Sequence, residues 1–193
     1  DLAGARGCFE RALAIDERAY GRDHPKVATD VNNLGAVLQD LGDLAGARGC
    51  YERALAIDER AYGRDHPAVA RDVNNLGAVL RALGDLAGAR GCFERALAIF
   101  EKALGPEHPN VATLVNNLGG VLRALGDLAG ARGCYERALA IGEKALGPEH
   151  PNVATLVNNL GGVLQDLGDL AGARGCFERA LAIDERAYGR DHP

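Results

Sequence analysis

The amino-acid sequence predicts an all-α protein, an α-solenoid of stacked antiparallel helix pairs. Two observations lead to this prediction. The motif DLAGARGC recurs every 42 residues, beginning at positions 1, 43, 85, 127 and 169. Within each repeat, apolar residues recur at spacings of three and four, and no segment alternates with the period of two that is typical of strands. A single helix pair cannot bury its apolar faces alone, so we expect successive pairs to stack on one another.

The first helix of each repeat is predicted to span about residues 25–41 in the first complete copy. Pro25 suits the first helical turn, because its missing N–H has no partner there. Gly42 then ends this helix, and Asp43 is a good N-cap for the next one. Apolar residues follow Pro25 at helical spacing: Val27, Val31, Leu34, Leu38 and Leu41.

The second helix of each repeat is predicted to span about residues 44–62. One broad face of this helix carries Leu44, Ala47, Tyr51, Ala54, Leu55 and Ala61. Gly63 ends it, and a short loop, GRDHP or GPEHP, leads to the next repeat. No linker or change of composition interrupts the array, so residues 1–193 are predicted to form one repeat domain. Because the terminal repeats are incomplete and residue 1 is not methionine, we expect a fragment of a longer array.

The loops fall into two subtypes that vary together with a position in the following helix. The form AYGRDHP precedes Asp30 or Asp72, whereas ALGPEHP precedes Leu114 or Leu156 at the same position. Either Tyr20 contacts Asp30, or the two features were duplicated as one block, and the sequence leaves both explanations open. Phe100 is another exception, because the other repeats have aspartate or glycine at that position. We expect Phe100 to extend a local apolar contact, the alternative being an adhesive spot on the surface.

Composition excludes several functional classes. The net charge is −5 with no long run of one sign, which argues against nonspecific nucleic-acid binding through a basic surface. No apolar run approaches the roughly 20 residues that a membrane span needs. The bias towards arginine, alanine and glycine indicates a bacterial source.

The cysteines and histidines each occupy a single repeat position, and neither set predicts chemistry. Equivalent positions in stacked helices are too far apart for a disulfide, so we expect reduced packing residues and a cytoplasmic protein. One histidine per repeat, without a nearby cysteine, cannot supply the four ligands of a zinc site, and a role in helix entry or loop packing is expected instead. The sequence therefore predicts no catalytic residue, no metal site and no cofactor. The two sets are Cys8, Cys50, Cys92, Cys134 and Cys176, and His24, His66, His108, His150 and His192.

Glycine gives no phosphate-binding loop either. Gly46 and Gly49 lie within the second helix, where glycine costs about 0.5–1 kcal/mol relative to alanine. Close packing and drift at exposed positions both explain them, and the sequence does not separate the two.

The first helix of each repeat has a polar face opposite its apolar stripe. At 100° per residue, the apolar side chains cluster around one direction and the asparagine pair points away from it. Small residues at Ala28 and Gly35 flank the stripe, where they permit close approach of a neighbouring helix. The polar face of the first complete copy comprises Thr29, Asn32, Asn33, Ala36, Gln39 and Asp40.

These residues resemble the tetratricopeptide repeat. The resemblance rests on Leu34-Gly35, Gly42, Ala47, Tyr51 and Ala54, which have the spacing of that signature in every copy. The 42-residue unit with its loop ending in His-Pro is similar to the subgroup that includes kinesin light chain repeats and bacterial arrays. The resemblance implies a right-handed superhelix whose first helices line a concave groove that grips an extended peptide.

The resemblance also implies which residues line the groove, and asparagine amides, which both donate and accept, suit the backbone of such a peptide. We expect a non-catalytic scaffold for protein–protein interaction. The residues carried over are Thr29, Asn32, Asn33, Gln39, Asp40, Arg71, Asn74, Asn75, Arg81, Thr113, Asn116, Asn117, Arg123, Thr155, Asn158, Asn159, Gln165 and Asp166.

Charge differences between the copies suggest a preference. Arg71, Arg81 and Arg123 lie centrally and Asp40 and Asp166 towards the ends, which favours a partner with acidic residues in its middle unless these positions drift freely. The lysines and arginines of the carboxylate clamp in chaperone-binding members are replaced by asparagine, alanine and glycine. The alternative function is a structural spacer or self-associating array without a dedicated ligand, which joins end to end through its terminal helices.

Overall fold

The computed structural model describes residues 2–189. This part of the chain contains nine α-helices and no β-strand. The helices are α1 (Leu2–Tyr20), α2 (Pro25–Asp40), α3 (Leu44–Tyr62), α4 (Pro67–Ala82), α5 (Leu86–Leu104), α6 (Pro109–Ala124), α7 (Leu128–Leu146), α8 (Pro151–Asp166) and α9 (Leu170–Tyr188). The predicted all-α fold and the two alternating types of helix are confirmed, and the helices are 16 and 19 residues long.

The helices group into two compact units. Unit 1 comprises residues 1–99 and unit 2 comprises residues 100–193. Within each unit, the extensive packing joins helices that are consecutive in the chain. Because turns of only a few residues connect them, consecutive helices run antiparallel. The single domain predicted over residues 1–193 stays a prediction.

The core of each unit is built from the same repeat positions. In unit 1, Val27, Ala28 and Val31 of α2 pack against Ala54 and Ile57 of α3. The equivalent cluster in unit 2 joins α8 and α9 through Val153, Ala154, Val157, Ala180 and Ile183. The apolar stripe predicted from helical spacing therefore forms the core of both units.

Each helix of the first type begins at a histidine followed by proline. His24, His66, His108 and His150 are N-caps, and the Nδ1 atom of each accepts the backbone N–H two residues ahead, at 3.1–3.2 Å. The predicted role of histidine in helix entry is confirmed for these four, whereas His192 lies outside the described residues.

The second type of helix begins at the predicted aspartate N-cap. Asp43 Oδ1 accepts the backbone N–H of Gly46 at 2.9 Å, and Gly42 precedes it with a φ of 83° that favours glycine. One boundary differs from the prediction. α2 ends at Asp40 and not at Leu41. The chain turns at Leu41, which is the C-cap, so this side chain does not continue the apolar stripe and 42% of its surface is exposed.

The small residues have distinct environments. A Cβ atom at Gly35 would lie 2.9 Å from Cε1 of Tyr51 and 3.1 Å from Cβ of Cys50, so glycine permits the predicted close approach of α2 and α3. A Cβ at Gly46 would meet the carboxylate of Asp43 at 2.5 Å, which ties this glycine to the N-cap. Gly49 faces open space, and a Cβ added there would meet no neighbouring atom within 4 Å. Close packing therefore explains two of these glycines and not the third.

The cysteines are free thiols, as predicted. Cys50 is half-buried and packs on the core cluster of unit 1, and burial raises the pKa of its thiol. Cys8 is exposed. Burial also raises the pKa of Cys92, Cys134 and Cys176, so these four thiols stay protonated near neutrality and act as small apolar groups.

Ion pairs join the second-type helices of successive repeats within each unit. Arg53 donates to Glu17 at 2.6 Å and to the carbonyl of Arg22 at 3.3 Å, which fixes α3 against both α1 and the loop after it. The same arginine position recurs in the pairs Arg95–Glu59, Arg137–Glu101 and Arg179–Glu143. These half-buried contacts hold adjacent repeats in register, and thereby set the spacing of the first-type helices.

Candidate functional site

The predicted groove residues lie on the first-type helices, and we call their surface the amide face. In unit 1 the amide face belongs to α2 and α4, and in unit 2 it belongs to α6 and α8. Thr29, Thr113 and Thr155 are exposed at one end of it, and Asp40, Arg81, Gln165 and Asp166 are exposed at the other. The asparagines lie between these ends, with exposure that ranges from buried at Asn32 to exposed at Asn158.

The asparagines bind one another across neighbouring repeats. Asn75 Nδ2 donates to Asn32 Oδ1 at 2.9 Å in unit 1, and Asn159 Nδ2 donates to Asn116 Oδ1 at 2.8 Å in unit 2. Asn74 Nδ2 also donates to Asn75 Oδ1 at 3.2 Å. An amide has two donors and can accept twice, so each of these bonds engages only part of its hydrogen-bonding capacity.

Asn32 departs from the position that the helical wheel predicts. Only 9% of its surface is exposed, although the wheel places it opposite the core. The cause is the next repeat, because α4 packs beside α2 and Asn75 covers the amide of Asn32. A wheel describes one helix alone and therefore misses burial by a neighbouring repeat.

Two further polar residues of this face are also bonded within the chain. Gln39 Oε1 accepts the hydroxyl of Tyr51 at 3.3 Å, and the Thr29 hydroxyl donates to the carbonyl of Pro25 at 3.4 Å. Asn33, Asn117 and Thr113 contribute side chains that are half-buried or exposed.

The arginines of the amide face differ in how their charge is balanced. Arg71 contacts two buried carboxylates, Asp72 Oδ1 at 3.1 Å and Asp58 Oδ2 at 3.4 Å. Arg81 is exposed. The charge of Arg71, one of the three central arginines, is therefore largely balanced within the chain. The preference for an acidic partner stays a prediction, and it depends most on Arg81.

Arg123 is balanced by the next repeat of unit 2. Its Nε lies 2.5 Å from Asp166 Oδ2, and hydrogen bonding to the guanidinium lowers the pKa of that carboxyl. A Cβ at Gly162 would meet Arg123 Nη1 at 2.8 Å. The glycine therefore gives the guanidinium room to lie across α8.

Unit 2 has a cavity of about 400 Å³ on the amide face. Its apolar surface comes from Gly142 and Leu146 at the end of α7, from Leu156 of α8, and from Pro109 and Ala112 of α6. Hydroxyl and amide groups complete the lining: Asn110, Thr113, Asn116, Asn152 and Thr155. An apolar pocket with a few polar groups is the usual form of a site that binds a side chain.

The structure brings only Thr113, Asn116 and Thr155 of the predicted residues to this cavity. Gly142, Leu146 and Leu156 were not predicted as site residues. A signal for them exists in the sequence, because Gly142 and Leu156 occupy two positions that vary between repeats. At these positions unit 1 has Asp58 and Asp72, so the variation exchanges a charged cluster for an apolar cavity.

The loop subtype is explained by two separate contacts. Tyr20 stacks on His24 with ring centroids 4.9 Å apart, and its hydroxyl accepts from Lys26 at 3.0 Å. Asp30 instead lies near Asp16, and burial together with that neighbouring carboxyl raises the pKa of Asp30. Position 16 thus varies together with position 30, as position 20 does, and a contact between Tyr20 and Asp30 stays a prediction. Phe100, which occupies the position of Asp16 in a later repeat, is half-buried.

Residues 2–189 contain no cluster of three or more histidine, cysteine, aspartate or glutamate side chains placed to hold a metal ion. Over the same residues, none of the helices has both the length and the apolar character for a membrane span.

Comparisons with solved structures show where this architecture occurs. BtubC (BKLC) from P. vanneervenii has a TM-score of 0.86 and 28% identity, over 100% of this chain and 76% of that one. A putative kinesin light chain from Podosopora anserina, with nearly identical TPR-like repeats, has a TM-score of 0.82 and 24% identity over 96% of this chain and 88% of that one. MamA has a TM-score of 0.65 and 19% identity, over 97% and 91% of the two chains. No curated protein sequence matches the chain.

Family models provide the assignment. A tetratricopeptide repeat model matches residues 27–87, 71–128 and 111–186, and a second model of the same description matches residues 1–26. These matches cover most of the chain and agree with the helix pairs seen in both units. The chain therefore belongs to the tetratricopeptide repeat family.

Proposed function

We propose that this protein is a non-catalytic scaffold that binds an extended peptide segment of a partner protein along the amide face. The observation that carries the proposal is the cavity of unit 2. Its volume of about 400 Å³ can hold one large apolar side chain. Burial of such a side chain contributes roughly 1.5–3 kcal/mol, which corresponds to about a ten- to hundredfold gain in affinity.

The polar rim of the cavity suits the backbone on either side of that anchor. Thr113, Thr155 and Asn152 are exposed, and their hydroxyl and amide groups can donate to peptide carbonyls. Asn116 already accepts from Asn159 at 2.8 Å, which orients its side chain before a ligand arrives. A rim fixed in advance loses less conformational entropy on binding.

A variant that imports another residue of the same chain tests this proposal. Phe100 occupies the repeat position of Gly142, with Leu114 at the position of Leu156, so Gly142→Phe recreates a pair that the array already contains. The phenyl ring fills the cavity. Peptides selected from a random 12-residue library on the unmodified chain should bind Gly142→Phe about tenfold more weakly, or weaker still, by calorimetry.

The matched control is Gly133→Ala on the same helix. Gly133 faces open space, so this variant should bind the selected peptides with unchanged affinity. Peptides with N-methylated backbones should also bind more weakly, because they lose donors to the amide face. Equal affinity of the unmodified chain and Gly142→Phe would overturn the cavity as the anchor, and a library without any selected binder would overturn peptide binding itself.

A structural role is the second candidate. It is favoured by the bonds that the amide face makes within the chain, notably Asn75–Asn32, Asn159–Asn116 and Arg123–Asp166. In that case the face holds repeats in register, and the array serves as a spacer or associates with further copies. Sedimentation at increasing protein concentration distinguishes a spacer from a self-associating array, since only self-association increases the average mass.

A further inference from the structure

Two aspartates face each other in the interior of unit 1. Asp58 lies near the end of α3, Asp72 lies in the second turn of α4, and their exposed fractions are 2% and 0%. Arg71 Nη2 bridges the two carboxyl groups, at 3.1 Å from Asp72 Oδ1 and 3.4 Å from Asp58 Oδ2. Buried carboxylates are rare because ionised groups lose their hydration on burial, so this pair requires an explanation.

One oxygen of each carboxyl group lacks a hydrogen-bond partner, which indicates that a proton is bound between the two groups. Asp58 Oδ1 and Asp72 Oδ2 are buried and have no hydrogen-bond partner among the heavy atoms of the described chain. An ionised carboxylate can only accept, so two ionised carboxylates cannot bond to each other. One proton held between them converts one group into a donor and satisfies both.

The charged neighbours are too few to neutralise both aspartates. Arg71, on α4, contacts both carboxylates, and His66, the N-cap of α4, also favours the ionised form of Asp58. Arg71 itself remains 43% exposed, so solvent screens part of its charge. Burial is the larger influence: it raises the pKa of Asp58, and it raises the pKa of Asp72 to about 7.

We propose that Asp58 and Asp72 share one proton, and that its loss weakens unit 1 as the solution changes from mildly acidic to neutral. The sign follows from linkage. An aspartate in the unfolded chain titrates near pH 4, so between about pH 4 and pH 7 the folded chain binds more protons than the unfolded one. The unfolding equilibrium constant then rises by up to about tenfold per pH unit in this interval.

The preceding repeat of unit 1 also has aspartates at these two positions. Asp30 faces Asp16 at the preceding pair of positions, its Oδ2 is buried without a partner, and burial raises its pKa. In unit 2 the corresponding residues are Gly142 and Leu156, which have no proton to bind. The proton-sharing pairs therefore belong to unit 1.

Replacement of Asp72 by asparagine tests the proposal. The amide of Asp72→Asn resembles a carboxyl group that permanently holds its proton, and it can donate to Asp58 at every pH. Urea unfolding at pH 5, 6, 7 and 8 gives the ratio of the unfolding constants of the unmodified chain and the variant. This ratio should rise by roughly a hundredfold between pH 5 and pH 7 and then level off. Groups outside the pair cancel in the ratio.

The control is Glu52→Gln, which removes an exposed carboxyl of α3 in the same unit. Its ratio should stay within roughly twofold over the whole interval, as is usual for an exposed pair. Arg71→Thr introduces the residue present at the equivalent positions 29, 113 and 155. Because it removes the cation that favours ionisation, the unfolding constant should continue to rise to a higher pH before it levels off.

A direct measurement covers the case in which Asp72→Asn does not fold. Carboxyl ¹³C shifts of the unmodified folded chain should reveal an aspartate that titrates near neutrality. If every aspartate is ionised below pH 5, or if the ratio for Asp72→Asn is constant with pH, the shared proton is disproved.

Discussion

Glycines at three positions of one repeat illustrate how far the surroundings of a residue decide its role. Gly35 lies against the ring of Tyr51 and Gly46 against the carboxylate of Asp43, whereas Gly49 has only solvent beside it. All three lie within helices, where the sequence assigns each the same cost. The contacts divide them into two required glycines and one that is replaceable.

Substitution by alanine should therefore act in opposite directions at two of these positions. Gly35→Ala pushes a methyl group against Tyr51, and overpacking of this kind costs about 1–3 kcal/mol. Gly49→Ala adds no contact and restricts the unfolded chain, so it should increase the free energy of unfolding by about 0.4–1 kcal/mol. Urea unfolding measures both. Destabilisation by Gly49→Ala would contradict the open surroundings of this position.

The boundaries of the helices could be predicted from single residues because their causes are local. Pro25 begins a helix, Gly42 ends it, and Asp43 caps the next, whatever the rest of the chain does. The bond between Asn75 and Asn32 could not be predicted, because it depends on how one repeat is placed against the next. The contact between Asp58 and Asp72 could not be predicted either. The sequence shows only that these two repeat positions, first occupied by Asp16 and Asp30, vary together.

The asparagine pair of α8 divides two tasks between adjacent residues. Asn159 bonds to Asn116 of α6, whereas Asn158 is exposed. On α2 and α6 the first asparagine of the pair, Asn32 or Asn116, instead accepts the bond from the next repeat. On α8, therefore, one amide joins the ladder between repeats and the other faces solvent.

Alanine substitutions on α8 should separate these tasks. Asn159→Ala leaves Asn116 without its partner and should cost about 0.5–1.5 kcal/mol of stability. Asn158→Ala, the matched control, should change stability by less than about 0.5 kcal/mol but weaken binding of the selected peptides. Thermal unfolding and calorimetry measure the two effects. Equal loss of stability in both variants would contradict the division.

The sequence as a whole is a series of nearly identical modules, and within each unit packing joins consecutive helices. Stability in such arrays is approximately a sum of terms for each repeat and each interface between neighbours. Function need not follow this sum, because the positions of Gly142 and Leu156 differ between units. Stability and binding should therefore respond differently to the type of repeat that is added.

Insertion of one further repeat tests this separation. A second copy of residues 127–168 after Gly168 keeps the 42-residue register and duplicates Gly142, Leu146 and Leu156. At roughly 0.05–0.15 kcal/mol per residue, it should raise the free energy of unfolding by about 2–6 kcal/mol, with a larger urea m-value. A second cavity forms, so calorimetry should show two anchoring sites for short peptides.

The matched insertion is a second copy of residues 43–84 after Gly84. It should stabilise the chain to a similar extent, because it adds the same kind of helix pair and the same interfaces. It also duplicates Asp58 and Asp72 instead of the apolar pair, so the number of peptide sites should stay at one. A second site in this variant would place peptide recognition in the features that all repeats share, such as the asparagines, instead of in the cavity of unit 2.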